Sequence, residues 1–266
     1  MKLGIIGVGN LAQCLIERIG ESKCNIDIIL YDIDSSKKKF SKKSKFKFQK
    51  RIGKEISGCE ILLLAVKPQV FPKITNDILK YVSKNTIVVS LMAGIKLNKI
   101  NKDLNNQFIT ARVMTNINAK YGNALSFVYY RKNVEKKVIS RINLLFKLFG
   151  TISDVKSELQ LDKITALCGS GPAYFIQFAE IIKNAFKRLG FKDKEAEDLA
   201  RNMFYATGFT CYSDKRELKS IKNTVVSRKG TTEAALKQMT KGNVEKIVVN
   251  SIIKAYQRSI QLGKDK

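Results

Sequence analysis

Apolar positions along this chain follow two rhythms. Up to about residue 157, short unbroken apolar runs alternate with stretches in which apolar residues recur every three or four positions; beyond residue 160 only the second pattern remains. The runs are Leu3 to Ile6, Asp27 to Tyr31, Glu60 to Val66, Thr86 to Leu91, Phe108 to Met114 and Leu125 to Tyr130, with a last one at Thr151 to Val155. Their length and β-branched content predict strands buried on both faces. Between them, Ala12, Leu15, Ile16 and Ile19 share one helical face, which Gly20 is expected to end. Val138, Ile142, Leu145, Phe146 and Phe149 share another, with Gly150 expected to close it. Strands alternating with helices predict an α/β, Rossmann-like doubly wound sheet, largely parallel, whose ligands bind beyond the carboxyl ends of the strands.

The second rhythm predicts an all-α helical domain. Phe175, Phe178, Ala179, Ile182, Phe186 and Leu189 share a face that Tyr174, Ile181 and Ala185 widen past half the circumference. So apolar a helix needs cover on several sides, which in a small domain points to a subunit interface and at least a homodimer. Asp193 is placed to cap the next helix, which carries Ala196, Leu199, Ala200 and Met203. The division expected is 1–157 for a dinucleotide-binding domain and 158–266 for a helical substrate and dimerisation domain.

The first run turns directly into the first helix through Gly7-x-Gly9-x-x-Ala12. Gly7 permits a tight turn, Gly9 lets the backbone approach a pyrophosphate, and Ala12 lets the helix pack against the strand. Asn10 and Leu11 would present their N–H groups to the phosphates from the positive end of that helix. Asp32, directly after the second run, stands where an acid bonds the cofactor ribose. Lys67, Pro68, Ala93 and Gly94 fall at the ends of two further strands. The densest charge, Ser35 to Arg51, is expected to form a solvated helix and a short strand from Lys45 to Gln49. Phe40, Phe46 and Phe48 are expected to pack into the core, and Lys37 or Lys38 could neutralise a 2′-phosphate.

Composition narrows the chemistry. The 266 residues include no histidine, which excludes an imidazole base, acid or metal ligand. Five scattered cysteines form no close pair, which argues for a reducing cytoplasm and against a metal cluster. No apolar run approaches the length of a membrane span, and the amino terminus already reads as a strand, so neither a membrane anchor nor a secretion signal is expected. The formal charge of +26 would attract polyanions, but lysines are spread through every segment, which disfavours a nucleic-acid groove.

Thr165-Ala-Leu-Cys-Gly169-Ser170-Gly171-Pro172-Ala173-Tyr174 is more specific than the glycine turn. Together with Ala65-Val66-Lys67-Pro68, Arg112-Val-Met114-x-Asn116 and Ser227-x-x-Gly230-Thr231-Thr232, it closely resembles the pyrroline-5-carboxylate reductases, in order and in register from Met1 to about Gln261. The resemblance implies a nucleotide-binding domain followed by a helical domain that interlocks two subunits. It implies an oxidoreductase acting on a CH–NH group, which reduces the ring C=N of 1-pyrroline-5-carboxylate with NADPH or NADH to give L-proline, the last step of proline biosynthesis. Thr232 would place its hydroxyl at the ring nitrogen, Ser227 with the N–H groups around Gly230 and Thr231 would hold the carboxylate, and the cofactor would lie against Gly7, Gly9, Asn10, Leu11, Asp32, Ala65, Val66, Lys67, Pro68 and Ala93. A nicotinamide brings its own hydride, so the lack of histidine is harmless.

Departures from the family pattern are local. Arg228-Lys229 stands where Pro-Gly is usual, Asn223 where an Asp is, Thr115 where a proline is, and Ile117-Asn118 where Thr-Pro is. Either new cation could attract the substrate carboxylate. Asp32 should repel a 2′-phosphate, and Ile52 stands where asparagine is frequent, so the expectation leans to NADH. Two alternatives are a related hydroxyacid or imine dehydrogenase and a basic nucleotide- or nucleic-acid-binding protein with a decayed site. The dehydrogenases rely on a lysine soon after a glycine cluster, and none follows Gly171-Pro172 until Lys183.

Overall fold

In a computed structural model that describes residues 1–42, 46–131 and 134–264, the seven apolar runs and a short stretch of the charged segment form eight strands of one sheet. They are β1 (Lys2–Ile6), β2 (Asp27–Tyr31), β3 (Lys47–Gln49), β4 (Ile61–Leu64), β5 (Ile87–Ser90), β6 (Ile109–Met114), β7 (Ala124–Tyr130) and β8 (Gly150–Asp154), in the spatial order β3-β2-β1-β4-β5-β6-β7-β8. All neighbours are parallel except β6 and β7. Strand order reverses at β1, between β2 and β4, which is where a doubly wound sheet opens a crevice.

Side chains alternate across the pleat, so each central strand feeds two cores. Leu3, Ile5, Ile61, Leu63, Ile87 and Val89 point to one face, packed with Leu15 and Ile16 of helix α1 (Asn10–Glu21) and with Ile142 and Phe146 of a later helix. Ile6, Leu62, Leu64 and Val88 point to the other, where a single turn α2 (Lys39–Lys42) plays no part but Phe71 and Ile78 of α3 (Phe71–Tyr81) and Ile100 of α4 (Leu97–Asp103) do. The Ile142 and Phe146 helix is α5 (Lys136–Lys147). Phe40, Phe46 and Phe48 pack against the first core, as expected of them.

Four local expectations are corrected. Helix α1 runs one residue past Gly20, and Ser22 stops it by donating its hydroxyl to the Ile19 carbonyl at 2.7 Å. Gly150 does not close α5; it opens β8 with φ +142°, so near β7 that a Cβ there would lie 2.2 Å from the Ala124 carbonyl oxygen. The Ser35 to Arg51 charge run forms a 3-10 turn at Ser35–Lys38 and the single turn α2 before β3. Lys43 and Lys45 of that run lie outside the described residues.

After β8 every described element is helical: α6 (Glu158–Ile164), a π-helical stretch at Thr165–Gly169, α7 (Gly171–Arg188), α8 (Asp193–Ser213), α9 (Leu218–Thr224), α10 (Thr231–Lys241) and α11 (Val244–Lys264). Asp193 is the first residue of α8 and makes no side-chain cap; its carboxylate instead pairs with Lys187 and Lys183 on α7, the fourth correction. The chain divides into two compact units, residues 1–170 with 255–266, and residues 171–254. The first holds both of these cores and a smaller cluster of Met114, Val155 and Leu161. In the second only Gly171, Ala196 and Ala200 are buried among the described residues, while Phe175 is 68% exposed and Ile181 51%. A single copy of this helical unit therefore has almost no interior of its own.

Candidate functional site

Two groups of the expected residues are organised for binding, one in each unit. In the sheet unit, the group lies at the carboxyl ends of β1, β2, β4 and β5. Gly7 has φ +93°, and a Cβ on it would meet the Ala65 carbonyl oxygen at 2.7 Å and Val66 Cγ1 at 2.9 Å, so only glycine lets the turn lie against the end of β4. Gly9 differs: its φ is −74° and a Cβ there would meet nothing within 4 Å. Its exposed backbone, with no side-chain cap, leaves the first N–H groups of α1 at Asn10 and Leu11 facing outward. That open cradle fits a diphosphate on a helix N-terminus. Lys67 and Pro68 form the turn into α3, through Val70 N–H to the Lys67 carbonyl at 2.9 Å, and Ala93 is exposed beside Gly94 at φ +77°.

The carboxylate of Asp32 is committed within the fold. One oxygen accepts the Val8 N–H at 2.7 Å and the other the Asp34 N–H at 2.9 Å, so it ties the glycine turn to the end of β2. Asp34 accepts the Ser36 N–H and lies 4.0 Å from Lys37. Ile52 is buried with Tyr31, Ile56 and Cys59, and burial pushes the Cys59 thiol up to about 11 and the Tyr31 phenol well above its ordinary value.

The helical unit places Ser227, Gly230, Thr231 and Thr232 at the start of α10, with Gly230 as its N-cap residue. The Ser227 hydroxyl folds so close over Gly230 that a Cβ there would fall 2.2 Å from Oγ. Gly230 N–H already donates to the Ser227 carbonyl at 3.0 Å and the first i→i−4 bond is from Ala234 to Gly230, so the donors left without such an acceptor are those of Thr231, Thr232 and Glu233. Lys229 adopts φ +60°, the left-handed conformation that suits the glycine usual at this position, and its N–H donates to Glu233 at 2.6 Å. Arg228, Lys229 and Asn223 are exposed.

A further cluster escaped the reading of single motifs. Arg112, 3% exposed, bonds Glu158 at 2.6 Å and Asp162 at 3.2 Å, Lys96 pairs with Asp162, and Glu158 also accepts the Leu97 N–H at 2.9 Å. Helix α6 is thus clamped to β6 and to the start of α4. The signal was present as two acids four residues apart on one face of α6. Asn116 adds a second tie, donating to the Cys168 carbonyl at 2.9 Å. Thr115, in place of the usual proline, accepts the buried Ser126 hydroxyl at 2.9 Å.

Residues 2–94 match the family model described as NADP oxidoreductase coenzyme F420-dependent, and residues 158–262 match the model for pyrroline-5-carboxylate reductase dimerisation. The pyrroline-5-carboxylate reductase of Staphylococcus haemolyticus is 28% identical over 269 residues, covering 100% of this chain and 99% of that protein. Among solved structures, Plasmodium falciparum pyrroline carboxylate reductase with NADP bound has a TM-score of 0.89 at 22% identity, covering 99% of this chain and 98% of the other. The 1-pyrroline-5-carboxylate reductase of Streptococcus pyogenes has a TM-score of 0.87 at 24% identity, covering 98% of each chain.

Proposed function

We propose that this chain, which belongs to the pyrroline-5-carboxylate reductase family, reduces the ring C=N of 1-pyrroline-5-carboxylate to L-proline with a reduced nicotinamide dinucleotide. It acts as a homo-oligomer, through the helical unit that matches the dimerisation model. The observation that carries the reading is that one chain, matched end to end by relatives of that name, holds two separate binding elements. One is an uncapped glycine turn at Gly7 to Leu11, and the other a hydroxyl-and-amide loop at Ser227 to Thr232.

The bound dinucleotide supplies a hydride, and the residues of the chain supply position and charge complementarity. Gly9, Asn10 and Leu11 would hold the diphosphate, while Ala65, Val66, Lys67, Pro68 and Ala93 would line its path along the strand ends. The ring nitrogen of the substrate arrives protonated, so its neighbouring carbon accepts a hydride without a strong acid from the protein. In this reading the Thr232 hydroxyl accepts a hydrogen bond from that nitrogen and stays beside it as the charge on the ring disappears. The Ser227 hydroxyl and the N–H groups of Thr231 and Thr232 take the substrate carboxylate, as an anion is taken by a helix N-terminus.

The division at 157/158 into a cofactor half and a helical half belongs to the same reading, supported by the end of the last strand at Asp154. We place the reaction in the reducing cytoplasm, since all five cysteines are free thiols. No helix among the described residues is long and apolar enough to cross a membrane.

The test is cofactor oxidation dependent on pyrroline-5-carboxylate. The wild-type chain is expected to turn over, Thr232→Ser to keep most of the rate, and Thr232→Ala to lose about 100-fold in kcat/KM. Equal rates for Thr232→Ala and wild type would remove Thr232 from the site, and a wild type inert with either nicotinamide would overturn the reading.

A further inference from the structure

Pro172 has no N–H, so the Cys168 carbonyl, four residues earlier, lacks the donor that a continuous helix would give it. The donor comes instead from the residues that follow β6: Asn116 Nδ2 reaches the Cys168 carbonyl at 2.9 Å. Asn116 is buried and its amide is held at both ends, since Oδ1 accepts the Asn118 N–H at 3.1 Å. The proline usual at position 118 would have no N–H to give, so this second tie depends on the asparagine that replaces it.

Cys168 belongs to the π-helical stretch Thr165–Gly169, after which the Ser170 N–H donates to the Thr165 carbonyl at 3.1 Å, five positions back. The Thr165 hydroxyl donates to the Leu161 carbonyl at 2.8 Å, which satisfies an acceptor at the start of the same irregular stretch. Gly169 lies so near β6 that a Cβ there would stand 3.2 Å from Met114 Sδ. Wide helical turns of this kind recur at functional sites. This one occupies the last residues of the sheet unit, immediately before the chain enters the helical unit at Gly171. The end of β6 thus fixes the wide turn twice, through the packing of Met114 and the hydrogen bond of Asn116.

The reductase reading gives the dinucleotide to the sheet unit and the imine to the helical unit, so the hydride passes between groups held by different units. Misplacing reacting atoms by about 1 Å can slow such a step on the order of 100-fold. We propose that Asn116 is a positioning residue for this step. Its bond to the Cys168 carbonyl fixes the direction in which the chain leaves the sheet unit, and with it the approach of the imine to the nicotinamide. The assignment rests on the reductase reading and adds to it a residue that acts through the junction rather than on either ligand.

The test is a single-turnover measurement on the full chain. Protein preloaded with NADPH or NADH is mixed with saturating pyrroline-5-carboxylate, and the absorbance of the reduced nicotinamide is followed. The amplitude counts active molecules and the rate constant reads the hydride step, so a residue needed only for folding would move the first and not the second. Asn116→Asp keeps the size and the acceptor for the Asn118 N–H but sets an oxygen against the Cys168 carbonyl. It is expected to slow the rate constant about 10- to 100-fold, with dinucleotide affinity by calorimetry unchanged. Should that variant not fold, Asn116→Ala combined with Pro172→Ala decides the matter. The new N–H at position 172 satisfies the Cys168 carbonyl, so no acceptor is orphaned, yet the tie to the end of β6 is gone. The same slowing is expected at near wild-type amplitude. A wild-type rate constant in either variant would overturn the assignment and leave the reductase reading intact. A wild type that oxidises neither nicotinamide with this imine would overturn both.

Discussion

The backbone N–H of Lys229 donates to the Glu233 carboxylate at 2.6 Å while Lys229 itself sits at φ +60°. Lys237 first, and this N–H second, hold the Glu233 carboxyl below its ordinary range. The bond pins the entry to α10 but asks a lysine to adopt a left-handed conformation, which costs roughly 1 to 2 kcal/mol relative to glycine. Part of any gain from glycine is returned through its freedom in the unfolded chain. Lys229→Gly is therefore expected to raise the melting temperature slightly, by about 1 to 3 °C, and Lys229→Ala to leave it flat or lower it. A lower melting temperature for the glycine variant than for the alanine variant would contradict this account of the loop.

Gly7 and Gly9 should answer substitution in opposite ways. Gly9→Ala adds a methyl group to open space at an ordinary φ, so stability should hold to within about 0.5 kcal/mol while dinucleotide affinity falls, read by quenching of intrinsic tyrosine fluorescence or by calorimetry. Gly7→Ala meets the Ala65 carbonyl and keeps an unfavourable φ, so it should lower stability by about 2 kcal/mol or more in denaturant melts. A Gly9→Ala protein with unchanged affinity would remove the diphosphate from this turn.

Much of the sheet unit is legible in the sequence because its strands are buried on both faces. Ile61 to Leu64 needs no context to be recognised as a parallel strand. The glycine turn is legible for a related reason, since Gly7 and Gly9 have no packing role that a larger residue fills better. The role of Asp32 is not legible, because it depends on Val8, 24 positions away, folding back over the end of β2. Gly150 misleads for a similar reason: its glycine character answers the approach of Ala124 on β7, a contact that local periodicity cannot express. The cluster of Arg112, Glu158, Asp162 and Lys96 is spread over three segments, and the two acids on one face of α6 do not show in the sequence which cations they meet.

That cluster carries the next prediction. Asp162 is 2% exposed and pairs with both Arg112 and Lys96. Arg112→Met removes the buried cation that both acids of α6 share, at a cost of about 3 kcal/mol. Denaturant unfolding should show that loss, and a change under 1 kcal/mol would mean that the clamp on α6 is held elsewhere.

Thiol reactivity separates two cysteines of the sheet unit. Cys24 is exposed, whereas Cys59 is buried and desolvation holds its thiol up at about 11. Iodoacetamide at pH 8 should alkylate Cys24 readily and leave Cys59 unmodified in the native protein, as read by peptide mass spectrometry. The proton held by folded Cys59 also means that its contribution to stability is complete below pH 9 and declines as pH rises toward about 11. Fast modification of Cys59 at pH 8 would contradict the packing around it.

The central claim is that a hydride passes from a reduced nicotinamide to the ring carbon of a cyclic imine. The most direct measurement supplies the chain with pyrroline-5-carboxylate and NADPH or NADH deuterated at both hydrogens of nicotinamide C4, and weighs the product. The account predicts L-proline carrying one deuterium on the former imine carbon; proline without the label, or no proline from either nicotinamide, would contradict it.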